Sequence, residues 1–180
     1  MKIIYRFAIF ISILLLVSCS GKKEEVIILD SSSLEEQMIE AYNKGVDALK
    51  EGDVLFAAKN FNNVENLYPQ SIWAPRSILM ASYSYYSQDY YGDAISELSR
   101  FLKNYPRNKN TAYAYFLLAT CHYELIIDEK KDLSPLLKSK KYFQIILDDY
   151  PNTDFAMDAK FKLILIDNIL ASKELYIGKY

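Results

Sequence analysis

Histidine, cysteine and glycine are scarce in this 180-residue chain, and each scarcity removes a class of function. His122 is the only histidine, so a histidine-based metal cluster or a Ser-His-Asp triad has no second candidate. With Cys19 and Cys121 the only cysteines, no disulfide framework is available. Five glycines spread along the chain cannot supply a phosphate-binding loop. Basic excess is absent too: 21 Lys and Arg face 23 Asp and Glu, a net charge of −2. A nucleic-acid binder normally concentrates positive charge on one face, so that class is excluded. Neither a catalytic constellation nor a metal or cofactor site is expected.

Hydrophobic and aromatic residues are plentiful, at 51% and 14% of the chain, and sixteen of the aromatics are tyrosine. That composition supplies a substantial core and excludes global disorder. Few glycines also leave long helices uninterrupted, while tyrosine buries a ring and keeps its hydroxyl near polar partners.

The N-terminus reads as a secretory signal. Lys2 and Arg6 give a positive start, and Phe7 to Val17 is an apolar run interrupted only by Ser12. Such a run suits a signal peptide and is shorter than the ~20 residues of a spanning helix. Leu16-Val17-Ser18-Cys19 then resembles the bacterial lipobox, in which the Cys thiol is acylated and the chain is cut before it. The expected organisation is a signal peptide over 1–18, a lipid-anchored flexible tether over 19–33 and a helical domain over 34–180. The apolar island Val26 to Leu29 within the tether is the one stretch that could instead dock on the domain or a partner. A covalent lipid on Cys19 would be the only attached group.

From Leu34 the pattern is helical and repetitive. Three segments end alike, at Tyr68-Pro69, Tyr105-Pro106 and Tyr150-Pro151. The Pro-to-Pro steps are 37 and 45 residues, in the range of stacked helix pairs, with the tetratricopeptide unit of about 34 residues the nearest template. Pro just past a helix end is a natural stop. The expected fold is therefore all-α, a tetratricopeptide-like solenoid of about three and a half repeats. Helices are expected over about 34–50, up to about 67, over 73–86, 90–104 and 136–149, and from Asp154 onward with Thr153 as cap. In the first repeat Gly45, Ala48, Ala57 and Phe61 occupy the small and aromatic positions where paired helices approach. In the second, Ala81, Tyr85, Ala94 and Leu98 do the same. Leu79, Ala81 and Tyr85 reappear 38 residues later as Leu117, Ala119 and Tyr123. Asp128 to Pro135 reads as a charged insertion that lengthens the third repeat. Phe155, Ala159, Leu163, Ile166 and Leu170 form an apolar stripe on the last helix. End units of a solenoid need a polar outer face, so either another surface covers Leu163 to Leu170 or the sequence is not the whole natural protein.

With chemistry excluded, surface remains. The first helix of each pair lines the concave face of such solenoids, and projecting the template places Tyr42, Leu49, Arg76, Tyr83, Tyr86, Leu117 and Glu124 there as candidate protein-binding residues. Tyr and Arg are common interface anchors. The competing reading packs these tyrosines between repeats. His122 is expected at a partly exposed helix surface, and Cys121 and His122 point about 100° apart on a helix, which does not suit a nucleophile and its base.

At this point a resemblance enters. Residues 68–124, YPQSIWAPRSILMASYSYYSQDYYGDAISELSRFLKNYPRNKNTAYAYFLLATCHYE, together with YPNTDFAMDAK and KELYIGKY, resemble the BamD family. These are the tetratricopeptide lipoproteins of the outer-membrane β-barrel assembly machinery. The resemblance implies a non-enzymatic scaffold, lipid-anchored to the outer membrane and facing the periplasm. Its implied partners are the barrel-forming subunit, other assembly lipoproteins and unfolded outer-membrane proteins. Ser20 after the lipid-bearing Cys is similar to outer-membrane sorting signals. Family members run on for about two more helix pairs, which carry most contacts to the barrel subunit, so no contact residue is carried over. The alternative is another periplasmic tetratricopeptide adaptor, of the Tol-Pal coordinator type. Those chains typically start with a coiled coil and lack a lipobox, and no heptad segment precedes Leu34 here.

Overall fold

The computed structural model describes residues 31–125 and 132–178. Among them are seven α-helices and no strand: α1 Ser31–Glu51, α2 Val54–Leu67, α3 Trp73–Tyr86, α4 Tyr91–Asn104, α5 Thr111–Glu124, α6 Ser134–Asp149 and α7 Asp154–Ile177. Each helix packs on the next along the chain, and α5 also touches α7. Such nearest-neighbour packing is that of a repeat array.

The helices pair because small residues let them approach. In the first pair, Gly45 on α1 lies so close to Phe61 of α2 that a Cβ there would sit 2.8 Å from the ring. Ala48, Ala57, Ala58 and Phe61 form one buried cluster with Ala81 of α3. In the next unit Ala94, Leu98 and Phe101 put one face of α4 into a core with Ile78, Leu117 and Leu118. Burial of each large side chain contributes roughly 1.5–3 kcal/mol. The 38-residue correspondence reappears as burial: Leu79 and Leu117 are 6% and 4% exposed, and Ala81 and Ala119 are both fully buried.

The turns repeat at the level of single hydrogen bonds. Helix α1 ends with Gly52 at φ +84, the amide of Gly52 donating to the Leu49 carbonyl (3.2 Å) and that of Asp53 to Ala48 (2.9 Å). Helix α3 ends in the same way 37 residues on. Asp89 takes φ +63, its amide donating to Tyr86 (3.1 Å) and that of Tyr90 to Tyr85 (3.0 Å). Both are Schellman closures, which need a left-handed residue just past the helix. Asp53 also caps α2 by accepting the Phe56 amide at 3.1 Å, worth about 1 kcal/mol.

The three Tyr-Pro turns match as well. The amides of Tyr68, Tyr105 and Tyr150 close the preceding helices on Val64, Phe101 and Ile146, and their carbonyls accept from Ser71, Asn108 and Thr153. Pro at the second position, with no amide of its own, suits such a turn.

Several expectations are corrected. Helix α1 begins at Ser31 rather than Leu34, so the serine run 31–33 is helical rather than tether. Helix α6 begins at Ser134, with Pro135 in its first turn, where a missing amide costs nothing. Only part of the proposed 128–135 insertion can therefore be a loop, and residues 126–131 lie outside the described ones. The Thr153 hydroxyl donates back to the Tyr150 carbonyl at 2.8 Å instead of capping α7. Leu163 and Ile166 are 8% and 0% exposed against α6. The uncovered apolar side chains of α7 are instead Met157, Phe161, Ile164, Leu165, Leu175 and Ile177. The signal sequence, Cys19 and the 19–30 part of the tether lie outside the described residues. No described helix is long and apolar enough to cross a membrane.

Candidate functional site

Helices α1, α3 and α5 open the three pairs, and the candidate contact residues lie on them. Tyr42 of α1 is half-buried, its ring edge-on to Phe61 of α2 at 5.4 Å and to Trp73 of α3 at 5.2 Å. One turn beyond Trp73, Arg76 lays its guanidinium 5.5 Å from both ring centroids. The ring quadrupoles attract the cation, so an exposed arginine is held in place without a carboxylate. Further along α3 a chain of tyrosines continues the surface. Tyr83 and Tyr86 have centroids 6.5 Å apart, and Tyr86 lies 6.0 Å from Tyr91. The Tyr91 hydroxyl donates to Asp89 at 2.6 Å, and that bond raises its pKa well above the ordinary phenol value. Glu124 at the end of α5 is exposed and faces Tyr86 and Tyr91, its charge adding to the rise at both phenols. Burial pushes Tyr113, close to Tyr83 and Tyr86, up to about 12. Tyr86, Tyr91 and Tyr113 therefore stay neutral at physiological pH.

The structure thus brings Tyr42 and Arg76 into one cluster, and Tyr83, Tyr86 and Glu124 into another. Leu49 is half-buried against the Ala48–Phe61 cluster and serves mainly to pack the first pair. Leu117 does not belong to the surface. It is 4% exposed in the core with Ile78 and Leu98, where its counterpart Leu79 of α3 is buried as well. Sequence projection missed Trp73, which completes the Arg76 cluster. Its signal was available: it is the only tryptophan and lies three residues before Arg76, on the same helical face.

Cys121 and His122 also settle differently. Cys121 is fully buried, and burial pushes its thiol up to about 12, which removes thiolate reactivity. His122, expected at a partly exposed surface, is 7% exposed and stacks on Tyr142 of α6 at 5.6 Å and 15°. Burial, then the Lys138 charge, lowers its pKa. The folded state therefore binds this proton less readily than the unfolded chain, whose histidine titrates near ~6.5. Its contribution to stability is complete above that value and is lost as pH falls below it. Urea unfolding should show the protein losing more stability between about pH 7.5 and about pH 5 than a His122→Phe variant, which keeps the stack without the proton.

Comparison with known proteins follows this geometry. Residues 34–180 match the family described as YfiO, outer membrane lipoprotein. The chain is 34% identical over 163 residues to the outer membrane protein assembly factor BamD of Caulobacter vibrioides, covering 90% of this chain and 52% of that protein. It is 32% identical over 167 residues to BamD of Rickettsia prowazekii, covering 93% and 64%. The chain therefore spans about half to two thirds of the length of these relatives. Among solved structures, the first tetratricopeptide domain of human RPAP3 aligns with a TM-score of 0.56 at 20% identity, covering 77% of this chain and 95% of that one. The tetratricopeptide domain of Arabidopsis OM64 aligns at 0.55 and 14% identity, covering 74% and 96%. These likenesses show the tetratricopeptide fold.

Proposed function

The chain belongs to the YfiO family of outer membrane lipoproteins, and on that premise we propose that it is a lipid-anchored scaffold for assembling outer-membrane proteins. The similarity to BamD assembly factors over nine-tenths of the chain carries the reading. In this reading the protein catalyses nothing. Its first-of-pair helices, joined by Tyr91 of α4, present the Tyr42–Trp73–Arg76 and Tyr83–Tyr86–Tyr91 clusters to partner segments, with aromatic rings as anchors. The partners are the barrel-forming subunit, other assembly lipoproteins and unfolded outer-membrane proteins.

Cys19 supplies the location. Acylation at its thiol and new amine would give several chains, and more than one is needed for stable anchoring. The domain would then face the periplasm from the outer membrane. Cys19→Ser should abolish palmitate labelling and move the protein from the membrane to the soluble fraction, leaving the unfolding midpoint of the helical domain unchanged. Wild-type protein should co-purify with a large β-barrel protein. Labelled protein that brings down no barrel subunit would sink the assembly role and leave the anchor standing.

A further inference from the structure

Beside the Arg76 cluster, a cleft of about 450 Å³ opens at the N-terminal ends of α3 and α5. Ile72, Trp73 and Arg76 form one wall, and Asn108, Lys109 and Asn110 the other. In a chain of net charge −2, this cleft carries two cations and no carboxylate. Neither Arg76 nor Lys109 is engaged in a salt bridge among the described residues. Glu35 lines a separate cleft that shares Ile72 and Trp73.

We propose that this cleft docks an acidic, apolar-flanked segment of a partner protein. Three observations agree. Arg76 is held against Tyr42 and Trp73, so its planar donors are oriented before any ligand arrives, and guanidinium suits a carboxylate bidentately. The lining residues Ile72 and Asn110 are the N-caps of two helices of 14 residues each, and neither cap side chain bonds its own helix, the Ser71 hydroxyl accepting the Ala74 amide of α3 at 3.1 Å; helix N-termini favour negative charge. Ile72 is 88% exposed beside the Trp73 ring, an apolar step on which a neighbouring aliphatic or aromatic side chain can rest. The carboxylate meets Arg76, a second acid meets Lys109, and the apolar neighbour covers Ile72 and Trp73. This names the chemistry of one partner segment and so rests on the docking-surface reading.

The test uses the full chain, purified in detergent, to select from a random-peptide phage library. Enriched peptides should carry paired Asp or Glu beside an apolar residue. A synthetic representative should weaken at least ~10-fold when its acids become amides, and by as much against R76E/K109E, with affinity falling as salt rises. Both substituted residues are exposed, and unchanged thermal melting of the variant would show that its fold persists. Selection without acidic enrichment would overturn the proposal, as would peptides that bind R76E/K109E equally well. Flotation with phosphatidylglycerol–phosphatidylcholine vesicles that needs the same two residues would assign the cations to a lipid surface and overturn it too. Unchanged peptide binding by R76E/K109E with barrel co-purification intact would sink this inference alone. Lost co-purification with peptide binding intact would sink only the scaffold reading.

Discussion

Arg100→Ala should lower the stability of the helical domain by about 3 kcal/mol, although no residue of its network lies in the hydrophobic core. Arg100 of α4 reaches back across the repeat boundary to α2. It pairs with Glu65 and with Glu97, and donates to the Asn62 amide oxygen at 2.8 Å. Asn62 in turn donates to Glu97 at 3.0 Å, and the Tyr105 hydroxyl to Glu65 at 3.3 Å. The Glu65 side chain is only 9% exposed, whereas that of Arg100 is 35% exposed. Removing the arginine therefore strands a buried carboxylate, and breaking a buried pair from one side costs about 3–5 kcal/mol. Water's access to Arg100 places the effect at the low end of that range. Thermal unfolding should show a drop of roughly 6–12 °C for a domain of this size. Replacing both partners, in E65M/R100M, should recover most of the loss, because no unpaired charge remains. A loss below about 1 kcal/mol in R100A would mean that solvent already screens the pair.

That network shows where sequence reading stops. The repeat was legible because helix pairing leaves local marks: Gly45, Ala48, Ala57 and Phe61 at fixed spacing, and Tyr-Pro after each second helix. Those marks become buried contacts and matching hydrogen bonds. Only part of the Arg100 network left such a mark: Glu97 is an i, i+3 partner on the same helix, but Glu65 and Asn62 lie 35 and 38 residues away and only the stacking of repeats brings them to the arginine. Leu117 failed for a related reason. Its side chain packs with Ile78 of α3 and Leu98 of α4, as its counterpart Leu79 does one repeat earlier, and a template of first-helix surface positions does not register that burial. His122 is buried by Tyr142, twenty residues further on and across the insertion. On α7 the four-residue spacing picked out the stripe that is buried, with Ala159, Leu163 and Ile166 in the core and Phe155 and Leu170 packed against it, but the spacing could not show that α6 covers it. In the contact surface, Arg76 and Tyr83 were visible as exposed residue types at template positions. Trp73 was equally visible as the only tryptophan, three residues before Arg76, but its place in the cluster depends on Tyr42 from another helix.

Phe61→Ala should cost about 3–5 kcal/mol, the range for truncating a fully buried aromatic. Phe61 has no exposed surface, touches Tyr42 edge-on at 5.4 Å and fills the seam that Gly45 leaves open. Gly45→Ala should also destabilise, by about 1–3 kcal/mol. Its new methyl would sit 2.8 Å from a ring atom that the core holds on every side. Helix propensity opposes this loss by only ~1 kcal/mol, so the clash decides the sign. The two effects share one volume and should not add. In F61A the ring is gone, and the Gly45→Ala methyl enters part of the cavity while keeping its propensity gain. The G45A/F61A double variant should thus be at least as stable as F61A, giving a favourable interaction of roughly 1–3 kcal/mol in a double-mutant cycle read by urea unfolding. Strict additivity would mean that α1 and α2 separate freely around position 45, and that the small residue does not set their distance. The same seam carries Tyr42 towards Trp73 and Arg76, so F61A should also loosen the cation's aromatic seat. A weaker grip on acidic peptides in F61A, with Arg76 and Lys109 unchanged, would show that the core spacing of the first pair sets the geometry of the surface beside it.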